Sequence, residues 1–388
     1  MGSDATRTEL PYWRLSAFYL FFFAALGALL PYWGMYLRDL GFAADEIGAL
    51  MAIIAGTKII APNVWGWVGD RTGQRMRIVR LGAGLAFCLF LAVFVVEGFW
   101  PLAITMALFS FFWNAALPQF EANTFNWLGE RRERYPHIRL WGSVGFIVAV
   151  AAIGPLLDRL GSATLPWFVA LFYLALWSAS MAAPAAGNGA RGREDPGPLL
   201  TVLRQRRVWL LLLVCFLMQA SHGPYYAFFT IHLQDHGYSG ELIGALWALG
   251  VLAEIGVFLL MHHLLPRFGA WRLLLASLVF TALRWVLIAA FVDVLPVLLA
   301  SQLLHAASFG LYHAVAISLI DRMFTGPHQG RGQAFYSSLS FGAGQATGSL
   351  AAGYLWVFAG GAWTFFIAGG VAAVAAIMAA CGLRRIGQ

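Results

Sequence analysis

The sequence carries a single lysine. Lys58 sits inside the apolar stretch "MAIIAGTKIIAP", and the other 24 basic residues are all arginine. Charged residues make up only 11% of the 388-residue chain, against about 25% in a soluble domain, so water is not its main solvent. Cysteine is scarce as well. Cys88, Cys215 and Cys381 have no paired spacing, which excludes a disulfide framework or a cysteine metal site and leaves three packing residues. The H-E-x-x-H pattern and the nucleophile elbow are missing, so neither an enzyme nor a resident metal or cofactor is expected. The alternation of apolar and polar residues that marks a membrane barrel is missing too.

What the chain has is apolar length. Hydrophobic residues make up 60% of it and the mean hydropathy is +0.73. Twelve stretches reach the roughly 20 apolar residues that a bilayer core requires: 12–37, 45–67, 78–96, 100–128, 139–160, 165–183, 208–234, 241–265, 271–291, 294–322, 331–357 and 362–383. Lipid tolerates only helices or closed barrels as spanning structures. The expectation is therefore an all-α polytopic membrane protein with twelve transmembrane helices. The opening "MGSDATRTEL" is polar, and the first span is too long and too aromatic for a cleaved signal, so the start is expected to be retained.

The net charge of +7 invites a nucleic-acid partner, but its distribution argues for topology instead. Of the 25 basic residues, 21 fall in breaks that face one side, in groups such as Arg71, Arg75 and Arg77 or Arg204, Arg206 and Arg207. Only Arg38 and Arg159 face the other side, and Lys58 and Arg284 lie mid-span. Short loops rich in basic residues stay in the cytoplasm. Both termini are expected there, in a multi-pass protein of the cytoplasmic (inner) membrane with no nucleic-acid partner.

Between the sixth and seventh spans, "PAAGNGARGREDPGP" is rich in Gly, Pro and charge, as a connector should be. It divides the chain into a six-helix bundle over 1–183, a cytoplasmic linker over 184–207 and a second six-helix bundle over 208–388. A repeat supports the cut: "GFAADEIGAL" from Gly41 and "GYSGELIGAL" from Gly237 align without gaps at an offset of 196. Under that offset Lys58 falls on Glu254, a cation in one half facing an anion in the other. Six-span parallel repeats about a central axis are the arrangement of the major facilitator transporters, whose substrate site lies near mid-bilayer between the repeats.

The loop "GWVGDRTGQRMR", Gly66 to Arg77, resembles the major facilitator loop signature. Gly66 and Gly73 allow close approach and a tight turn. Asp70 can pair with an arginine or a helix N-terminus across the gate, and Arg71 and Arg139 are counted with it. The equivalent break "LPRFGAWR" has Pro266 where the aspartate would fall. "RLWGSVGF" from Arg139, "SHGPYYAFF" from Ser221 and "GYSGELIGALWALGVLAEIG" from Gly237 resemble the bacterial phenylpropionate permease group, relatives of lactose permease and the nucleoside-proton symporters. In that wider group an acid on helix eight, an arginine on helix nine and a histidine on helix ten serve proton coupling or substrate binding. The resemblance assigns these roles to Glu254, Arg284, and His305 or His313.

An ionisable group at mid-bilayer costs at least about 2.5–3.5 kcal/mol on insertion scales and needs a cavity or a partner. Glu254 and Arg284 could form an ion pair between neighbouring helices or take part in proton and substrate exchange. Glu121, on one helical face with Asn114 and Pro118, could neutralise Lys58 or belong to the proton path. Gln219, His222, Tyr226 and Phe229 form a stripe expected to face a cavity, and His305, Ser308, Tyr312 and His313 lie on a related face of helix ten. Trp13, Trp33 and Trp100 fit interfacial belts. The functional expectation is a proton-coupled symporter importing a small organic solute, an aromatic carboxylate such as phenylpropionate first, whose carboxylate buried Arg284 or Lys58 could each receive. It has no cofactor besides the coupling proton and is functional as a monomer. A sugar or nucleoside symporter, a multidrug efflux antiporter and a non-transporting receptor are the alternatives.

Overall fold

The computed structural model describes residues 10–186, 200–325 and 328–384, so Arg7, Arg191, Arg193, Arg385 and most of the linker lie outside the described residues. Those residues form long helices and no strand. In chain order they are α1 (Tyr12–Asp39), α2 (Ala44–Thr72), α3 (Arg75–Phe94), α4 (Phe99–Leu128), α5 (Tyr135–Leu160), α6 (Leu165–Ala182), α7 (Arg206–Asp235), α8 (Gly240–Phe268), α9 (Ala270–Ala290) and α10 (Leu295–Met323). The run Gln329–Gly382 follows, long enough for two spans. It turns at Gly360, whose φ of 80° and ψ of 176° only glycine adopts without strain, giving α11 (329–359) and α12 (361–382). The expected twelve spans are thus present, but the last two join through one glycine rather than a loop.

Helix ends follow local chemistry. The Ala43 N–H at the start of α2 donates to Glu46 Oε2 at 2.9 Å, and α2 ends where Gly73 turns left-handed with its N–H on the Gly69 carbonyl. Within the helices hydropathy is high all round, so there is surplus apolar surface. Val95, Phe358 and Ile377 are more than half exposed and face where lipid would lie. Trp13 and Trp100 are exposed as an interfacial belt requires, whereas Trp33 is fully buried against Tyr36 and Phe90. Of the cysteines only Cys215 packs inside, while Cys88 and Cys381 are exposed.

The helices meet through small residues, because apolar lipid offers no hydrophobic gain for helix association and close approach must supply it. Inside the first half, α1 and α5 touch so closely that a methyl at Gly27 would lie 2.7 Å from the Phe146 carbonyl oxygen. Between halves, α1 meets α7 at Gly34 and Ala227, α2 meets α11 at Gly48 and Gly353, and α5 meets α8 at Gly154 and Gly240. All three contacts lie toward the arginine-poor ends. Burial follows the same rule: the buried residues of α2 lie between Ile47 and Ala55 with only Ala61 and Gly69 beyond, and those of α8 all lie between Gly240 and Gly250. One apolar core joins both halves near the arginine-poor face, and another, built around Val208, Leu274 and Tyr312, belongs to the second half alone. The halves pack most closely at the arginine-poor end, and toward the arginine-rich end their contact thins without ending, since α2 and α11 stay joined where a methyl at Gly342 would lie 2.6 Å from Ile59 Cγ1 and Asn63 Nδ2 donates to Ser338 Oγ at 3.1 Å.

Gly145 tests the α1–α5 approach, since its Cβ would run into the Leu20 carbonyl. Gly145→Leu is expected to cost about 1–3 kcal/mol through overpacking and to lower the melting temperature in detergent. An unchanged melting temperature would mean that these two helices do not pack this tightly.

Candidate functional site

Mid-span charges gather where the halves begin to part. Arg284, on α9, is fully buried. Its Nε donates to the Ser301 carbonyl at 3.0 Å, one terminal nitrogen reaches His305 Nδ1 at 3.0 Å and Ser308 Oγ at 3.1 Å, and the other donates to Gln302 Oε1 at 3.1 Å. Its flat faces lie 4.2 Å from the Tyr225 ring centroid and 4.7 Å from that of Trp285. Four of its five N–H groups are therefore engaged, and cation–π contact supports the desolvated charge.

The clamp also fixes a tautomer. A guanidinium only donates, so His305 Nδ1 must accept, and in a neutral ring the proton then sits on Nε2. That nitrogen points at Glu254, 3.8 Å from Oε2. The direct Glu254–Arg284 ion pair considered above is not made. His305 stands between them, so the three residues named by the resemblance meet as a chain rather than a pair. Glu254 keeps a partly exposed side chain, at 16%, and a methyl at Gly310 on α10 would lie 2.9 Å from its Cγ. Gly310 lies in a π-helical stretch, Ala306–Leu311, and α11 has another at Ser338–Gly344. Such widened turns recur at functional sites.

In the first half Lys58 does not meet Glu121. Its Nζ lies 3.4 Å from Gln345 Oε1, across the interface on α11, while Glu121 accepts from the Tyr135 hydroxyl at 3.0 Å. Asn114, expected on the Glu121 face, donates instead to Thr57 Oγ1 on α2 at 2.9 Å. Arg139, grouped above with the gate, turns its side chain onto rings of α1. Its guanidinium lies 3.9 Å from the Phe23 ring centroid and 5.8 Å from that of Tyr19. Among the described residues it makes no hydrogen bond or ion pair, although it lies within Coulombic reach of Glu121 and Glu254.

Other expected residues sit elsewhere. Gln219, His222 and Phe229 are fully buried and Tyr226 nearly so, so the α7 stripe faces the interior of the second half rather than open space. His222 stands at the break in α7, its ring edge-on to Trp285; among the described residues its Nε2 has no partner, and neither has either polar atom of the Gln219 side chain. Tyr312 is a packing residue whose hydroxyl reaches the Cys215 carbonyl at 3.3 Å. His313 meets the Tyr336 hydroxyl at 3.1 Å, two turns from His305. Asp70 pairs with Arg75, which also donates to Gln119 Oε1 at 2.8 Å, so Asp70 is held within its own half and not across a gate. Arg71 covers Trp67, and Gly66 borders Gln119. Gln302 and Gln345 went unnoticed in the sequence. Gln302, three residues before His305, shares its helical face, which was the available signal.

Removing Arg284 should strand Gln302 and His305. Arg284→Ala is expected to cost about 3–5 kcal/mol, and Lys58→Ala, which loses one long contact, much less. Thermal unfolding in detergent compares them, and equal losses would contradict the buried clamp.

The geometry can be set beside known proteins. A family model described as "MFS_1 like family" matches residues 12–367. The protein described as "Probable 3-phenylpropionic acid transporter" of Escherichia coli (strain K12) is 30% identical over 363 residues, covering 90% of this chain and 92% of that one. A maltose permease of Geobacillus stearothermophilus is 29% identical, covering 91% and 89%. A crystal structure of the nucleoside transporter NupG superposes with a TM-score of 0.85 at 16% identity, covering 97% of this chain and 100% of that one, a likeness of fold.

Proposed function

Because the chain belongs to the MFS_1-like family of major facilitator transporters, we propose that it is a proton-coupled symporter importing a small aromatic carboxylate by alternating access. The observation that carries this reading is Arg139. It is a guanidinium laid on the Phe23 ring, with no carboxylate of the protein bound to it among the described residues, and it lies within Coulombic range of Glu254. A guanidinium offers a planar fork to a carboxylate, and the rings of Phe23 and Tyr19 offer apolar faces to an aromatic body. Arg284, one of the two residues expected in that role with Lys58, has its donors already engaged by Ser301, Gln302, His305 and Ser308. Its role here is to hold His305.

Coupling follows from charge balance. With the cavity empty, Arg139 offsets Glu254 at Coulombic range. A bound carboxylate takes up the arginine's charge and leaves Glu254 without its counter-charge, so a proton on Glu254 keeps the loaded cavity from carrying one uncompensated negative charge in low dielectric. His305, its Nδ1 held by Arg284, turns its Nε2–H toward Glu254 at 3.8 Å, so it orients the carboxyl and does not relay the proton itself. The arginine-rich face is assigned to the cytoplasm, both termini with it, and the sparser burial of α2 and α8 toward that face makes it the side from which the cavity is reached. The N-terminal bundle, the linker and the C-terminal bundle keep the boundaries 183/184 and 207/208, and a monomer suffices. Sugar uptake is the second reading, favoured by the maltose permease relative at 29% identity.

Vesicles holding the protein are expected to accumulate labelled 3-phenylpropionate under an inward proton gradient and to lose that accumulation with a protonophore. Uptake indifferent to the gradient would remove the coupling, and preferential competition by maltose would favour the sugar reading. Glu254→Gln is expected to spare substrate exchange while abolishing gradient-driven accumulation. Arg139→Gln should raise the half-saturation concentration about 10- to 100-fold, as loss of a charge-assisted bond implies; an unchanged value would take Arg139 out of the site.

A further inference from the structure

The arginine-poor face is shut, and the polar contacts that shut it differ in kind. At the end of α1, Arg38 reaches Asp235 Oδ1 at 2.7 Å and Gln234 Oε1 at 2.6 Å on α7. Both charged side chains there are substantially exposed, at 33% and 48%, and such pairs contribute little. Asp158, near the end of α5, is exposed as well and differs in acting on the backbone. Its Oδ1 accepts the Gly240 N–H at 2.8 Å and its Oδ2 the Glu241 N–H at 3.0 Å, so both oxygens of one carboxylate hold the first two amides of α8 in the opposite half.

A helix start leaves N–H groups without intrahelical partners and concentrates partial positive charge, the place where a carboxylate is most effective. The repeat-related start of α2 is served from its own half, by Glu46 on the Ala43 N–H. In α8 the N-cap Ser239 takes the Leu242 N–H, leaving the Gly240 and Glu241 amides to Asp158. Two related helix starts are thus satisfied differently, one internally and one across the transporter's moving interface. The backbones press together beside it: a methyl at Gly240 would lie 2.6 Å from the Gly154 carbonyl oxygen. The Tyr32 hydroxyl orients the same end of α5 through the Val150 carbonyl at 2.7 Å. A crevice of about 100 Å³, lined in part by Tyr32, Asp158, Thr230, Gln234 and Gly240, adjoins the contact.

We propose that Asp158 is a latch that selects the state closed at the arginine-poor face: its carboxylate pins the start of α8 to α5, and this face opens only when both amide bonds are given up together. The contact exists in one state and not the other, which is what lets a single residue bias an alternating-access equilibrium. Backbone amides lose no side-chain freedom in making it, unlike the long Arg38 side chain. The proposal goes beyond the coupled-uptake reading and does not draw on it, because it concerns which face is open whatever the substrate or driving ion.

The test measures distance rather than transport. The full-length chain, with its three native cysteines replaced by alanine or serine, would carry spin labels at Leu160→Cys, at the end of α5, and Phe291→Cys, at the end of α9, both exposed positions at the arginine-poor end. Pulsed electron resonance in lipid nanodiscs then reads the separation of the halves. With Asp158 intact a short distance should dominate. Asp158→Asn, which turns an amide donor toward one of the two N–H groups, should raise the ratio of long to short populations about fivefold or more. Arg38→Gln should change that ratio less than about twofold, and Asp158→Glu should restore part of the short population. An Asn variant with the parent distribution, or an Arg38→Gln variant that opens as far, would overturn the proposal. If Asp158→Asn does not fold, salt decides on the Arg38→Gln protein. A latch made by Asp158 must still weaken as ionic strength rises from low to about 1 M, and an unresponsive distribution would overturn it.

Discussion

Lipid cannot solvate a charge, so every ionic group placed inside the bilayer must bring its own solvent. The structure answers this demand most fully at Arg284, where a carbonyl, an amide, a hydroxyl, an imidazole and two aromatic faces replace water around one guanidinium. The rest of the second half is organised by that clamp. It fixes the position and tautomer of His305, and through His305 it sets what Glu254 faces. A buried charge so fully satisfied is a scaffold, and the groups it leaves partly exposed, Glu254 and Arg139, are where exchange with water, protons or solute can occur.

The same demand divides the molecule along the membrane normal. At the arginine-poor end, glycine-on-backbone contacts and a few cross-half hydrogen bonds join the halves; toward the arginine-rich end α2 and α8 carry few buried residues. The halves also differ from each other. The second half breaks α7 at His222 and widens α10 and α11 into π-helical turns, whereas α1, α4 and α5 in the first half run unbroken despite Pro31, Pro118 and Pro155. Irregular backbone next to the Arg284 clamp offers carbonyl groups and side-chain angles that a regular helix would not.

The chain's own pattern was most legible where physics acts locally or by simple periodicity. Apolar length marks the spans, glycine marks the turns at Gly73 and Gly360, and the offset of 196 pairs Lys58 with Glu254. Legibility fell where outcome depends on rotation of one helix against another. The α7 stripe has the spacing of a cavity face, yet Trp285 and α11 cover it. Arg139 has the address of a loop arginine, yet its side chain turns inward over Gly142 onto Phe23. Tyr312 shares a face with His305 in an ideal helix, and the π-helical turn between them alters that register.

Composition and order alone determined that this protein lives in lipid, crosses it twelve times, repeats itself once, and carries too few buried charges for any to be incidental, because the cost of an unsolvated charge is paid wherever the chain later folds. Which charges meet was decided only in three dimensions. His305 coming between Glu254 and Arg284, Gln345 rather than Glu121 beside Lys58, and Asp158 on the start of α8 all depend on distances between residues far apart in the chain, and those distances are set by how closely small residues let the helices approach.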